Sequence, residues 1–188
     1  DKLGKEESET LIDLYKATSR LTKLNQNLLL LVKIDNNIIN EQEDVDVSGV
    51  LVERLSYFQE LIQNRNLSLI TTLSPLVINT NRYLLEILLN NLLSNAIRHN
   101  YENGHIEISL TTECMIFRNT GAPQSLNSDK IFDRFFKDSH SEGTGLGLAI
   151  LKQICNRQQF GFKYTHTDGY HSFEISFILP TDEHIIAN

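Results

Sequence analysis

Asn91 and Asn95 stand one helical turn apart in the run Leu88-Leu89-Asn90-Asn91-Leu92-Leu93-Ser94-Asn95-Ala96-Ile97-Arg98-His99-Asn100. Four-residue spacing on a helix puts both carboxamides on one face, with Leu88, Leu92 and Leu93 free to pack inward. Amides on so apolar a helix need partners. A carboxamide oxygen is a hard, neutral ligand that suits Mg²⁺, an ion held by few protein groups, several waters and the phosphates of its nucleotide. A second segment fits the same chemistry. Gly143, Gly145 and Gly147 alternate in Gly143-Thr144-Gly145-Leu146-Gly147-Leu148-Ala149-Ile150 and lead into a helical pattern. Such glycines let the backbone approach an anion closely, and the N–H groups at the start of the next helix point toward it. The two segments together predict a nucleotide site.

The rest of the chain must position them. Leu14, Ala17, Leu21, Leu24, Leu28 and Leu31 recur at alternating three- and four-residue spacing, which reads as the seam of a long coiled-coil-like helix that seeks a partner helix. An amphipathic helix packed on its own domain is the competing reading. Asp35-Asn36-Asn37 and Glu41-Gln42-Glu43-Asp44 read as a linker. Val45-Asp46-Val47 then leads through Ser48, the expected cap, into a helical pattern of Val50, Leu51, Leu55, Phe58, Leu61 and Ile62. Residues 67–71 and 76–78 read as strands separated by Ser74-Pro75. The Asn-rich helix follows, capped at Thr80 or Asn81. Residues 105–110 alternate as a half-buried strand after the turn Asn103-Gly104, and residues 114–117 form its hairpin neighbour. From 124 to 143 only Phe132, Phe135 and Phe136 interrupt a polar, Ser/Asp-rich run, which reads as a lid. Residues 144–157 are helical in pattern, 160–164 and 171–179 pair across Thr167-Asp168-Gly169, and Pro180 stops the last strand. The fold class is α/β: an α/β sandwich, a mixed sheet with helices on one face, preceded by the long helix.

Composition narrows the function classes. At 188 residues and 40% hydrophobic content the chain holds one domain plus an appendage. Its net charge of -7, with no Lys/Arg-rich stripe in the sequence, argues against nucleic acid as a partner. Cys114 and Cys155 have no CxxC spacing, so neither a disulfide framework nor a zinc site is indicated, and a reducing, cytoplasmic compartment fits. No apolar run approaches the roughly 20 residues that span a bilayer, and the charged N-terminus is no signal peptide. There is no GxxxxGK[ST], which excludes a P-loop. Leu148 stands where a dinucleotide-binding GxGxxG needs its last glycine.

In kind and order these segments resemble the catalytic, ATP-binding domain of sensor histidine kinases of two-component systems, over roughly residues 44–180. The N box of that family corresponds to residues 91–100, the G1 turn to Asn119-Thr120-Gly121-Ala122-Pro123, the F box to residues 131–137 and G2 to residues 143–147. The resemblance implies the Bergerat fold of the GHKL group. It makes residues 1–37 part of the second helix of the dimerisation and phosphoacceptor hairpin, 38–44 a linker, 45–181 the catalytic domain and 182–188 a tail. It assigns Asn95 to Mg²⁺ and Asn91 to phosphate or a metal-bound water. Arg98 would offset phosphate charge and His99 would donate to phosphate. Lys137 touches the phosphates or the phosphoacceptor helix, Gly143, Gly145 and Gly147 supply backbone freedom at the phosphates, Thr144 meets phosphate or caps the following helix, and Leu146 folds over the nucleotide. Phe132, Phe135 and Phe136 are core or lid anchors, while Arg134 touches the phosphates or the phosphoacceptor helix.

One turn departs from the pattern. Most members carry Asp-x-Gly-x-Gly at G1, whose Asp accepts from the adenine amino group; here the three positions are Asn119, Gly121 and Pro123. An Asn oxygen still accepts that hydrogen bond, at a loss on the order of 1 kcal/mol. Pro123 cannot take the positive φ of a glycine.

The implied activity is a protein-histidine kinase acting on Mg·ATP, passing the γ-phosphate to a histidine and on to an Asp in the receiver domain of a response regulator. None of His99, His105, His140, His166, His171 and His184 sits in an acceptor-like segment. The acceptor is therefore expected on a helix outside these residues, with self-phosphorylation absent, a homodimer when intact, and the intact protein free to be membrane-anchored. No residue is a convincing general base. Two other readings stay open: a degenerate, non-catalytic scaffold, favoured by Asn119 and Pro123, and a GHKL-type ATPase, which needs a catalytic Glu early on the N-box helix, where Glu86 stands.

Overall fold

The computed structural model describes residues 4–127, 130–136 and 144–177. A 31-residue helix, α1 (Lys5–Asp35), comes first. β1 (Glu43–Asp46), α2 (Val47–Asn64), β2 (Ser68–Leu73), β3 (Val77–Thr80) and α3 (Arg82–Arg98) follow, then β4 (His105–Leu110), β5 (Cys114–Thr120), α4 (Gly147–Gln158), β6 (Gly161–Thr167) and β7 (Tyr170–Ser176). Five strands form one mixed sheet in the order β2-β4-β5-β7-β6; β2 and β4 run parallel and the other neighbours antiparallel. β1 and β3 make a separate antiparallel pair, so the two strand segments around Ser74-Pro75 do not pair with each other.

The period of two in β4, β5 and β7 turns Ile106, Ile108, Leu110, Met115, Phe117, Phe173 and Ile175 to one face, where they are buried. α2, α3 and α4 cover that face. α3 supplies its middle: Leu84, Leu85, Leu88, Leu89, Leu92, Leu93, Ala96 and Ile97 are all buried, a stripe wider than a simple surface helix presents. Asn81 starts this helix, its side chain accepting from Leu84 N at 2.9 Å. The cap of α2 is Asp46 and not Ser48: Asp46 accepts from Gly49 N at 3.0 Å, and the Ser48 hydroxyl donates to the same carboxylate. Val47, fully buried, is already the first helical residue, which pushes the cap upstream of Ser48. These donors, Ser48 first, hold the Asp46 carboxyl below its ordinary pKa.

β6 and β7 are joined through Asp168 and Gly169, both at positive φ (54° and 77°), the backbone a two-residue hairpin turn requires. α1 docks by its second half only. Leu31 and Ile34 are buried in the common core with Leu24 and Leu28 packed against it, whereas Leu14 and Leu21 are exposed. The seam therefore serves two environments, its domain at one end and solvent at the other.

Candidate functional site

A cleft of about 1220 Å³ opens between α1, α2, α3, the start of α4 and the ends of β5 and β7. α3 lines it with Asn90, Asn91, Ser94, Asn95, Arg98 and His99, and the glycine-rich segment with Thr144, Gly145, Gly147 and Leu148. The two motifs predicted to cooperate thus face one another, although they are far apart in sequence.

They meet at Gly147. A Cβ there would lie 3.2 Å from Asn91 Oδ1 and 3.9 Å from the Asn95 carboxamide. Asn91 Nδ2 donates back to Ile87 O at 2.8 Å, which leaves its oxygen as the group turned to the glycine. Asn95 is half-buried and its carboxamide has no hydrogen-bond partner among the described residues. Neither polar atom of this amide is among the fully buried unpartnered ones, so water reaches it and a ligand can take that water's place. Gly145, which also lines the cleft, holds the loop together. At φ 72° its carbonyl accepts from Phe135 N at 2.9 Å, and a Cβ would come within 3.0 Å of the Phe135 backbone. This stitches the F box to the glycine run.

α4 begins at Gly147, later than the pattern from Thr144 suggested, and its N-cap, Leu146, provides no side-chain hydrogen bond. Thr144 is not the cap; its Oγ1 accepts instead from Asn27 Nδ2 of α1 at 3.3 Å. Leu146 does not fold over the cleft. Its side chain is fully buried in the core, because an apolar residue at the root of a packed helix gains more from the interior than from a wet cleft. Lys137 and Gly143 lie outside the described residues. Asn90 also lines the cleft, although helical spacing had singled out Asn91 and Asn95.

At the other end of the cleft Asn119 is 2% exposed on β5. Its Nδ2 donates to Thr120 O at 2.9 Å, so its oxygen remains as acceptor. Gly121 follows, pressed so near the His99 carbonyl that a Cβ would stand 2.7 Å from it. His171, paired with Asn119 in the β5–β7 register, holds the next turn in place. Its Nε2 donates to Ala122 O at 2.8 Å, its Nδ1 accepts from the Tyr164 hydroxyl at 2.8 Å, and that hydroxyl accepts from Leu126 N at 3.1 Å. Burial pushes the His171 pKa down, against the bond to Ala122. Sequence reasoning placed His171 merely in a strand; its parity with Phe173 and Ile175 signals burial, but not the partners it meets there.

The charges are one-sided. Lys16, Arg20, Lys23, Arg54 and Arg98 line the cleft and no Asp or Glu among the described residues does, in a chain of net charge -7. Arg98 Nη2 donates to Ser94 Oγ at 2.9 Å. Glu86 is turned away into ion pairs with Arg82 at 3.0 Å and Arg54 at 3.9 Å. Among the described residues no group of three or more His, Cys, Asp or Glu is placed to hold a metal ion. Cys155 is inert here, its thiol pushed up to about 12 by burial.

Cations, Arg20 and Lys23 among them without an acidic partner, beside amides that meet a glycine helix start suit a phosphate chain, and the mixed sheet under its helices makes this an α/β-sandwich nucleotide-binding domain. Comparison with known proteins carries the assignment further. The profile of the histidine kinase-, DNA gyrase B-, and HSP90-like ATPase family matches residues 80–183, and the chain belongs to that family. Within it, the chain resembles sensor histidine kinases. It is 30% identical to the heme sensor protein HssS of Staphylococcus aureus strain JH9 over 92% of this chain and 39% of that protein. It is also 30% identical to HssS of Staphylococcus saprophyticus over 76% of this chain and 32% of that protein. The chain thus spans well under half the length of these curated relatives. The catalytic domain of histidine kinase ThkA superposes with a TM-score of 0.67 at 25% identity, covering 72% of this chain and 94% of that domain. Histidine kinase AdeS of Acinetobacter baumannii shares the fold with a TM-score of 0.71 at 22% identity, over 96% of this chain and 88% of that one. No helix among the described residues is long and apolar enough to cross a membrane.

Proposed function

We propose that this chain is the ATP-binding catalytic portion of a sensor histidine kinase, with α1 as the second helix of a dimerisation and phosphoacceptor hairpin. It binds Mg·ATP and offers the γ-phosphate to a histidine on a partner helix, from which a receiver-domain Asp of a response regulator takes it. The observation that carries this reading is the free Asn95 carboxamide, beside the Asn91 oxygen and Gly147, in a cleft whose charged lining among the described residues is Lys and Arg alone. Mg²⁺ held by Asn95 together with nucleotide phosphates and water would supply charge neutralisation to the phosphoryl group. The chain's own share is positioning. Asn119 accepts from the base, Asn91 and the amides at the start of α4 meet the phosphates, and Arg98 offsets their charge. Lys137 and Gly143 extend the same phosphate site in the family's pattern.

The GHKL-type ATPase reading needs a carboxylate at the cleft, and Glu86 is committed to Arg82 and Arg54 instead. The scaffold reading rested on the G1 turn, where Asn119 still presents an acceptor. Calorimetric titration with a non-hydrolysable ATP analogue, with and without Mg²⁺, tests the proposal. We expect Mg²⁺-dependent binding that Asn95→Ala weakens by about 1.5–3 kcal/mol, the range for a hydrogen bond to a charged group, and phosphorylation of a supplied histidine-bearing helix. Absence of binding in both conditions would put the scaffold reading first.

A further inference from the structure

Lys16, Arg20, Lys23 and Asn27 follow one another at steps of four, three and four residues, which places them on one face of α1. All four line the cleft. Asn27 fixes where that face lies, since its bond to Thr144 Oγ1 sets it beside the glycine-rich start of α4. Lys23 is one turn further out, and Arg20 and Lys16 beyond it. Neither Arg20 nor Lys23 has a hydrogen-bond or ion-pair partner among the described residues, and Lys16 reaches only Asp13, at 4.0 Å. Cations one turn apart on a helix repel each other when no carboxylate stands between them. In an acidic chain, three of them gathered on the wall of one cleft make a place where an anion relieves that repulsion.

We propose that this face of α1 is a wall of the nucleotide site and reads the outer phosphates, so that the chain discriminates a nucleoside triphosphate from the monophosphate. The proposal rests on the nucleotide reading of the cleft. Asn119, at the β5 end, takes the base, while Gly147 and Thr144 mark the phosphate end, where Asn27 of α1 meets Thr144. Each phosphate added beyond the first brings negative charge toward Lys23 and Arg20. A monophosphate would leave them without an anion. Because the same helix is rooted in the core through Leu31 and Ile34, a triphosphate also tightens α1 against the domain, a coupling that works in both directions.

The test is a titration of the full chain, in Mg²⁺, with AMP, ADP and a non-hydrolysable ATP analogue, for the parent and for Arg20→Gln with Lys23→Gln. Glutamine keeps the helix propensity of the residues it replaces, so thermal melts of the two proteins should coincide. We expect the ATP analogue to lose about tenfold or more, as for charge-assisted bonds removed, and AMP to lose less than about twofold. Arg20→Lys with Lys23→Arg, which keeps both charges, should retain the parent's preference for the triphosphate. An unchanged ATP to AMP ratio in the glutamine variant, or an equal loss for all three nucleotides, overturns the proposal. If the parent binds the ATP analogue, Asn95→Ala weakens it and the glutamine variant does not alter the ratio, the nucleotide site stands and the α1 wall falls. A parent that binds none of the three overturns both.

Discussion

Asn91 and Asn95 share one face of α3 but are held in different ways. Asn91 is anchored through its amide nitrogen to Ile87 O, which fixes the direction of its oxygen; the Asn95 carboxamide has no partner among the described residues. Gly147 makes this possible by leaving room. Its φ is not in the left-handed region, so alanine is sterically allowed for the backbone, yet a Cβ would sit 3.2 Å from Asn91 Oδ1. Gly147→Ala should therefore leave the melting temperature equal or higher, since alanine favours a helix over glycine by up to about 1 kcal/mol, while nucleotide affinity falls about tenfold, roughly 1.4 kcal/mol. Titration and thermal melts on the same samples separate the two effects. His171 carries a pH prediction. Burial, opposed by the Ala122 bond and aided by His166, holds its pKa below the ordinary 6.5. The unfolded chain then binds this proton more readily than the folded one, so the contribution is complete above the ordinary value and is lost as pH falls from there through the lowered folded value. Thermal midpoints between about pH 7 and pH 5 should decline, less steeply in His171→Gln, whose amide does not titrate. Asn95 was legible in the sequence because its spacing on an apolar helix is a local fact. His171 was not, since its partners Tyr164, Ala122 and Leu126 come from other segments.

At the scale of elements, α1 is where period and partner came apart. A three-four repeat of leucines says that one face is apolar, without saying what covers it. The structure divides the repeat: Leu24, Leu28 and Leu31 turn to the domain, and Leu14 and Leu21 to solvent. The end of α1 is further tied by Asp35, which accepts from Arg134 Nη2 at 3.0 Å and from Gln153 Nε2 at 2.5 Å. Arg134 thus meets α1 itself, in an exposed pair worth about 1 kcal/mol or less. The burial of Leu31, at 1% exposure, outweighs it. Leu31→Ala should cost about 2–5 kcal/mol of stability in denaturant unfolding, as buried Leu to Ala changes do, whereas Asp35→Asn should cost a fraction of that.

For the whole molecule, the exposed half of α1 sets the behaviour at high concentration. Leu14 is 62% exposed, Tyr15 75% and Leu21 66%, an apolar patch of the kind that marks an interaction surface. Sedimentation should reveal association that grows with concentration and is abolished by Leu14→Gln with Leu21→Gln; a strictly monomeric profile for the parent would refute it. The net charge and the cleft point in opposite directions. A total of -7 keeps polyanionic surfaces away in bulk, while the cations gathered at one cleft admit a small phosphate chain.

The sequence by itself determined the Asn-rich helix, the glycine run, the alternating strands and hence the α/β sandwich, because each is written in a local period that records which side is buried. What covers the cleft was decided only in three dimensions. Asn27 and Thr144 lie 117 residues apart, and no local pattern announces that pairing; nor did the isolated Lys16, Arg20 and Lys23 read as a stripe until a helix face collected them. Leu146 and Asp46 make the same point at single positions, where packing in the core displaced the expected nucleotide contact and moved the expected cap. Local periodicity encodes which face is hidden, and the folded chain alone chooses what hides it.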